Sequence, residues 1–342
     1  MEVFPLSKKR MEAYIKAISY YLPEKVVTNE QLVEQFPEWS VEKIAKKVGI
    51  NERHIAAEDE TAGDMAFKAA EKLIVENDID KGTIDFVLLC TQSPDYFLPS
   101  TSCIIQSKLG LSTKCGAFDF NLGCSGYEYG LAVAKGLIVG GIAKNILLLT
   151  AETYNKHIHP KDKGNRTIFG DGASASLIST DGFAMIGEFV LGSDGSGYDR
   201  LIHKTGAMRH YQALNDFHED ENGTPLSSDH LFMDGKAIFD FTSDVVPPMI
   251  EETLQKNNLT AEDVDLYVFH QANKYMINYL RKLMEIDKDK FYVFMETVGN
   301  TVSSTIPIAL SEAQKEGKLK GNVVLAGFGV GLSYGATILK IE

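Results

Sequence analysis

Short apolar runs recur along the chain, each bounded by Asp, Asn, Gly or Ser. The run in "NDIDKGTIDFVLLCTQSP" (77–94) has a counterpart in "NNLTAEDVDLYVFHQAN" (257–273). Both read as a helix end, a short turn, an aspartate, a buried strand and a polar loop, with Cys90 and His270 at matching positions. The order that follows is shared too. A second strand ("CGAFDFNLGC" and "DKFYVFMETVGN") leads into an amphipathic helix, at about 125–140 in one copy and about 302–315 in the other. Another buried strand comes next ("KNILLLTAE" and "GNVVLAGFG"), then a Gly-rich turn and a last strand ("GDGASASLIS" and "GVGLSYGATILKI"). Internal similarity on this scale predicts two copies of one α/β unit. Buried strands alternating with helices predict mostly parallel sheets covered by helices. The expected division is a leader over 1–13, an N-terminal half over 14–185 and a C-terminal half over 186–342, with Met11 a possible true start. The segments 153–169 and 198–232 lack counterparts and read as loops or insertions.

Length and composition narrow the class. A chain of 342 residues fits one large or two fused domains. The net charge of −13 argues against a nucleic-acid binder. Four cysteines without a C-x-x-C pair suit a reduced, cytoplasmic protein better than a disulfide scaffold or a zinc site. No apolar run is long enough to span a bilayer, and Glu12 and Lys16 interrupt what would be the apolar part of a signal peptide.

The candidate chemistry sits at strand ends, where ligands gather in open α/β units. Cys124, in "NLGCSGYEYG", ends one strand and precedes a helix. A helix N-terminus is expected to lower its thiol pKa and make it a nucleophile. Gly123 and Gly126 permit a tight turn and close approach of substrate. His270 and Asn300 end strands of the other copy, and pseudo-symmetry would bring all three to one centre. A histidine there can polarise a carbonyl, and an asparagine amide can donate to a developing oxyanion. The same Cys, His, Asn order occurs in papain-like proteases, but a mid-chain cysteine in an α/β repeat does not fit that fold. Cys90, Cys103 and Cys115 read as small buried hydrophobes. The glycines of "GFGVGLSYG" (327–335) precede an apolar strand, so they read as a close backbone approach that could supply an oxyanion-hole N–H, not as a nucleotide loop. His157, His159 and Asp162 have metal-ligand spacing but read as a polar surface loop, and no metal is expected. His54, His203, His210, His218 and His230 have no partner that the sequence names.

With these residues on the page, the chain resembles a β-ketoacyl-[acyl-carrier-protein] synthase III of the thiolase-fold condensing enzymes. The resemblance covers about residues 14–342 and rests on "YLPEKVVTNEQL", "GINERHIAAEDET", "FLPSTSCIIQSKLG", "AFDFNLGCSGY", "IFGDGASASL", "HQAN", "GNTVSSTIP" and "GFGVGLSYG". It implies two pseudo-symmetric halves in a layered α-β-α-β-α architecture. It implies that Cys124 carries the acyl group, that His270 and Asn300 bind the thioester carbonyl of a malonyl donor, and that the N–H groups of Cys124 and Val330 form the oxyanion hole. The implied acyl pocket is Leu98, Leu122, Phe169, Met233 and Phe328, with Leu98 reaching into a partner's pocket across a homodimer. Trp39 and Lys163 stand where the family clasps the adenine of coenzyme A. Lysine there in place of arginine, and Leu122 in place of alanine, depart from the family pattern. A thiolase would carry a second cysteine in the 327–335 loop, and an elongation synthase would have His at 300. The substrates implied are acyl-CoA or acyl-carrier-protein thioesters, with no cofactor. In "NKYMINYLRKLMEI", Met276, Ile277, Leu280, Leu283 and Met284 form an apolar helical stripe. Lys274, Arg281 and Lys282 share the other face with Asn278 and are expected to dock an acidic acyl carrier protein. The alternatives are a non-condensing acyltransferase of this fold and a catalytically silent carrier-binding homologue.

Overall fold

A computed structural model describes residues 11–221 and 223–342. Most of the expected leader, residues 1–10, lies outside the described residues. From Ala13 the chain is packed, because Ala13 is buried and its carbonyl accepts the N–H of Ile186 at 2.9 Å.

Nine strands form the main sheet: β1 (Tyr14–Tyr21), β2 (Phe86–Cys90), β3 (Gly116–Phe120), β4 (Asn145–Glu152), β5 (Gly172–Ser179), β6 (Ala184–Ser193), β7 (Leu266–Phe269), β8 (Gly321–Gly329) and β9 (Ser333–Ile341). Their spatial order is β7-β8-β9-β6-β1-β5-β4-β2-β3. The first five strands belong to one repeat and the last four to the other. The two sets meet only where Tyr14 pairs with Met185 and Ile15 with Ala184.

The sheet is less parallel than the hydrophobic pattern predicted. β2 runs parallel to β3 and β4, and β7 to β8. The other pairings are antiparallel. For β8 and β9 the cause is connection length. A turn of three residues between Gly329 and Ser333 reverses the chain, whereas parallel neighbours need a crossover through a helix. A second difference lies at "DKFYVFMETVGN". Only an isolated parallel bridge, Phe291 with Tyr267, forms there. The ladder stops because the Gln271 side chain occupies its place: Gln271 Nε2 donates to Phe269 O at 2.6 Å, and Gln271 Oε1 accepts Phe294 N–H at 2.8 Å.

The helices Gly126–Val139 and Thr305–Lys315 are the buried members of each repeat. Tyr127, Leu131, Ala134 and Ile138 of the first pack in one cluster with Ile306, Ala309, Leu310 and Ala313 of the second and with strand residues of both halves. Two sheet halves with this helix pair between them and further helices outside give the layered architecture. The 198–232 insertion forms two short ladders, Leu201–Ile202 with Phe232–Met233 and His218–Glu219 with Pro225–Leu226.

One buried cation fixes the wall beside the C-terminal loops. Arg53 is 0% exposed and has no carboxylate partner. Its guanidinium donates to Val27 O (3.0 Å), Asn29 Oδ1 (2.9 Å) and Thr167 O (3.0 Å), so it joins the Lys25–Thr28 strand, the Asn29–Gln35 helix and the Lys163–Ile168 helix. Removing it orphans buried acceptors, each costing on the order of 1–3 kcal/mol. Arg53→Ala is therefore expected to destabilise the protein by roughly 3 kcal/mol, and Arg53→Lys to recover little of it because an ammonium lacks the planar fork. Urea unfolding of both variants checks this.

Candidate active site

Strand β3 ends at Phe120, and residues 121–125 turn the chain into the Gly126–Val139 helix. Cys124 lies in this turn with 6% exposure. The Ser125 hydroxyl makes no cap; it bonds Ser333 Oγ at 2.7 Å, and Ser333 Oγ donates to Val330 O at 2.7 Å. These bonds tie the turn carrying Cys124 to the 329–333 loop. A Cβ on Gly329 would lie 2.7 Å from Cys124 Sγ, so only glycine lets this backbone close on the sulfur. The Val330 N–H reaches the thiol as a result.

The lowered thiol pKa expected from a helix start is not found in the free chain. Burial pushes the Cys124 thiol up to about 12, against the opposing pull of the Val330 and Cys124 N–H groups. Desolvation outweighs the helix terminus because burial penalises the charged thiolate more than two N–H groups favour it. Cys90 lies beneath the same turn and its thiol donates to Leu122 O at 3.1 Å. Cys115 is half-buried, and Cys103 is exposed, contrary to the expectation of a buried residue.

His270 follows β7, and its N–H donates to Ala326 O at 2.8 Å. The ring is buried, lies edge-on to Phe328 with centroids 5.8 Å apart, and has Nδ1 2.7 Å from Thr305 Oγ1. Burial pulls its pKa down to about 3, the Val302 carbonyl acting the other way, so the ring is neutral. Asn300 does not end a strand. It forms an isolated bridge with Phe169, its Nδ2 donates to Ala272 O at 3.3 Å, and its Oδ1 accepts Val302 N–H at 2.9 Å. The amide orientation is thereby fixed, with a second Nδ2–H left over. Val302 itself has φ +57°, a conformation that a β-branched residue rarely adopts. A Cβ on Gly123 would meet Val330 Cγ1, Gln92 Oε1 and Val302 Cγ1, so the turn carrying Cys124 touches the loops carrying Val330 and Asn300. Cys124, His270 and Asn300 thus share one buried centre lined by Phe328, Gly329, Val330 and Val302.

Two buried carboxyls beside this centre escaped the sequence reading. Glu152, at the end of β4, accepts Gln92 N–H at 2.8 Å and Ser93 Oγ–H at 2.9 Å, and burial pushes its pKa up to about 8. Gln92 also donates to Asn121 Oδ1 at 3.0 Å and accepts from the Tyr154 hydroxyl. Glu128 is 0% exposed, one turn past Cys124, and among the described residues neither carboxyl oxygen has a well-formed hydrogen bond, its own backbone N–H being the one donor that acts on it. Its position three residues before buried Leu131 was the available signal.

Not all of the implied acyl-pocket residues gather at this centre. Phe169 and Phe328 are buried, while Met233 packs partly buried against the same cluster. Leu122 is half-buried beside the turn carrying Cys124. Leu98 is 83% exposed on a loop with exposed Tyr96 and Phe97. Trp39 lies under the ammonium groups of Lys43 and Lys47, and Lys163 pairs with the adjacent Glu38 at 2.5 Å. On the Lys274–Leu283 helix, Lys274 and Lys282 are exposed, whereas Arg281 donates to Ile286 O at 2.8 Å and is half-buried. Met276, Ile277 and Leu280 are buried as the stripe predicted, but Leu283 is 47% exposed. His157 faces His203, Nδ1 to Nδ1 at 3.1 Å, His159 stacks on Phe217, and Asp162 caps the Lys163–Ile168 helix. They pack and cap the 153–169 and 198–232 segments.

The architecture is the thiolase fold, and the chain is an acyltransferase of the condensing-enzyme class. Residues 118–195 match the family model for 3-oxoacyl-[acyl-carrier-protein] synthase III, and residues 254–341 match the model for its C-terminal part. A β-ketoacyl-[acyl-carrier-protein] synthase III of Clostridium perfringens is 38% identical over 324 residues, which cover 94% of this chain and 97% of that protein. A crystal structure of a 3-oxoacyl-(acyl-carrier-protein) synthase III superposes with a TM-score of 0.94 at 45% identity, covering 96% of this chain and 100% of the other. The 3-oxoacyl-(acyl-carrier protein) synthase of Burkholderia xenovorans LB400 superposes with a TM-score of 0.89 at 34% identity, covering 97% and 94%. The chain belongs to the β-ketoacyl-[acyl-carrier-protein] synthase III family.

Glu128 yields a stability prediction. Burial holds its pKa well above the ordinary carboxylate value, so it is protonated in the fold. A carboxyl with a raised folded pKa contributes full stability below its unfolded pKa and loses it as pH rises through the folded value. Glu128→Gln cannot ionise and removes that slope. The melting temperature of the wild type is expected to fall relative to the variant as pH rises above the ordinary carboxylate range, and parallel melting curves would refute it.

Proposed function

We propose that this chain condenses an acyl group held on Cys124 with a malonyl-acyl-carrier-protein, extending the acyl chain by two carbons in fatty-acid or specialised acyl biosynthesis. The observation that supports this most is the buried centre shared by Cys124, His270 and Asn300, with the Val330 N–H already at the sulfur. In the first half-reaction Cys124 Sγ attacks the acyl thioester, and the departing thiol leaves with the proton that Cys124 loses. The N–H groups of Cys124 and Val330 hold the tetrahedral oxyanion. In the second, the malonyl thioester carbonyl accepts from the free Nδ2–H of Asn300 and from His270. The bond to the carboxylate breaks, carbon dioxide leaves, and the electron pair remains as an enolate on that oxygen. Its carbon attacks the acyl carbonyl on Cys124, giving the 3-oxoacyl thioester and a Cys124 thiolate, which takes a proton from water.

The substrates in this reading are thioesters of acyl carrier protein or coenzyme A, and no metal or other cofactor takes part. The Lys163–Glu38 pair beside Trp39 weakens the case for an adenine clasp and favours a carrier protein as acyl donor. Lys274 and Lys282, exposed on the helix that follows His270, suit an acidic carrier surface, while Arg281 is engaged at its helix end. We place the protein in the cytoplasm as a homodimer in which the exposed Leu98 loop enters the partner's acyl pocket. Four free cysteines agree with the first, and the exposed Tyr96, Phe97 and Leu98 agree with the second.

Cys124→Ala is expected to abolish acyl loading, read by intact mass, with the fold retained. His270→Ala and Asn300→Ala are expected to load acyl groups but to lose about 10²–10³ in malonyl decarboxylation, since each lacks a donor to the enolate. Radiolabelled carbon dioxide release at the wild-type rate from both would overturn the reading. For the carrier, the double reversal Lys274→Glu with Lys282→Glu is expected to raise KM for the malonyl carrier by roughly three- to tenfold and flatten its salt dependence. Loading from small acyl thioesters should stay unchanged.

A further inference from the structure

The proposed role of His270 requires a hydrogen on the ring nitrogen that faces the substrate. A neutral imidazole has one N–H, and the bond made by its other nitrogen decides where it sits. Nδ1 meets the Thr305 hydroxyl at 2.7 Å. That oxygen is also 3.0 Å from the Val302 carbonyl, so one hydroxyl hydrogen has two acceptors to choose between. Two schemes follow. If the hydrogen points to Val302 O, Thr305 Oγ1 can only accept, Nδ1 carries the ring proton, and Nε2 presents a lone pair. If it points to Nδ1, the ring proton sits on Nε2.

The geometry favours the second scheme. The Val302 carbonyl already accepts the backbone N–H of Thr305 at the first turn of its helix, so it has a donor without the hydroxyl. The contact to Nδ1 is the shorter of the two. The pieces are also held rigidly. Val302 N–H orients the Asn300 amide, and the left-handed turn at Val302 carries its carbonyl back toward Thr305 and His270.

We propose that Thr305 is a positioning residue: its hydroxyl donates to His270 Nδ1 and thereby holds the Nε2–H tautomer needed for malonyl decarboxylation. This rests on the reading of His270 given above and deepens it. Acyl loading does not use the ring hydrogen, so Thr305 separates the two half-reactions. Thr305→Val has nearly the same shape but no hydroxyl. In it the Val302 carbonyl is the remaining partner for Nδ1 and accepts from Nδ1–H, so the ring takes the other tautomer and Nε2 loses its hydrogen.

The test compares full-length wild type, Thr305→Val, Thr305→Ser and His270→Ala. Acyl loading is read by intact mass and carbon dioxide release from malonyl-acyl carrier protein. Thr305→Val is expected to load at the wild-type rate while decarboxylation kcat falls about tenfold or more with little change in KM. Thr305→Ser, which keeps the hydroxyl, is expected to restore most of the rate. Nitrogen-15 spectra of ring-labelled histidine are expected to show Nε2–H for His270 in the wild type and Nδ1–H in Thr305→Val. If His270→Ala loses decarboxylation but Thr305→Val does not, Thr305 has no such role and the His270 reading stands. If His270→Ala also keeps the wild-type rate, the His270 reading itself is wrong. An Nδ1–H ring in the wild type overturns the tautomer assignment even if the valine variant does not fold.

Discussion

Burying two helices between the halves of one sheet is the constraint on which the rest depends. The Gly126–Val139 and Thr305–Lys315 helices pack against each other and against strands of both repeats. Neither first turn carries a side-chain cap. The residues at these helix starts therefore find partners in neighbouring loops and within their own turns. Ser125 bonds Ser333, Val302 bonds Asn300, and Thr305 meets His270. The chemical groups lie where they do because the repeat brings both helix starts to the same buried place.

Burial also sets the charge state of that place. The thiol of Cys124, the ring of His270 and the carboxyls of Glu152 and Glu128 all shift toward their neutral forms, and desolvation is the first cause in each. The free site is thus a buried centre with few charges and several aimed N–H donors. Donors fixed in advance in such a medium favour a charge that develops late, as an enolate or tetrahedral oxyanion does. They do little for a group that must ionise beforehand, so the proposed role of Cys124 draws on the Val330 N–H at its sulfur more than on a resting thiolate.

Much of this was legible in the sequence. The strand and helix order followed from apolar runs of matching length in the two repeats, since burial on both faces demands such runs. Cys124, His270 and Asn300 stood out because they ended those runs at related positions. Other features could not be read. Antiparallel pairing of β8 with β9 depends on a turn of three residues, and the missing C-terminal strand depends on the side chain of Gln271 reaching across from another loop. The exposure of Leu283 and the engagement of Arg281 depend on where its helix ends, not on its periodicity.

The sequence by itself determined the repeat, the fold class and the residue types available for acyl chemistry, because these are properties of local pattern. Tertiary structure alone decided the high pKa of Cys124, the buried carboxyl of Glu128, the left-handed turn at Val302 and the contact of Thr305 with His270. Each of those depends on neighbours distant in the chain. Desolvation sums over every atom that excludes water, and a hydrogen bond needs both partners within about 3 Å, so neither quantity exists until the two halves have closed.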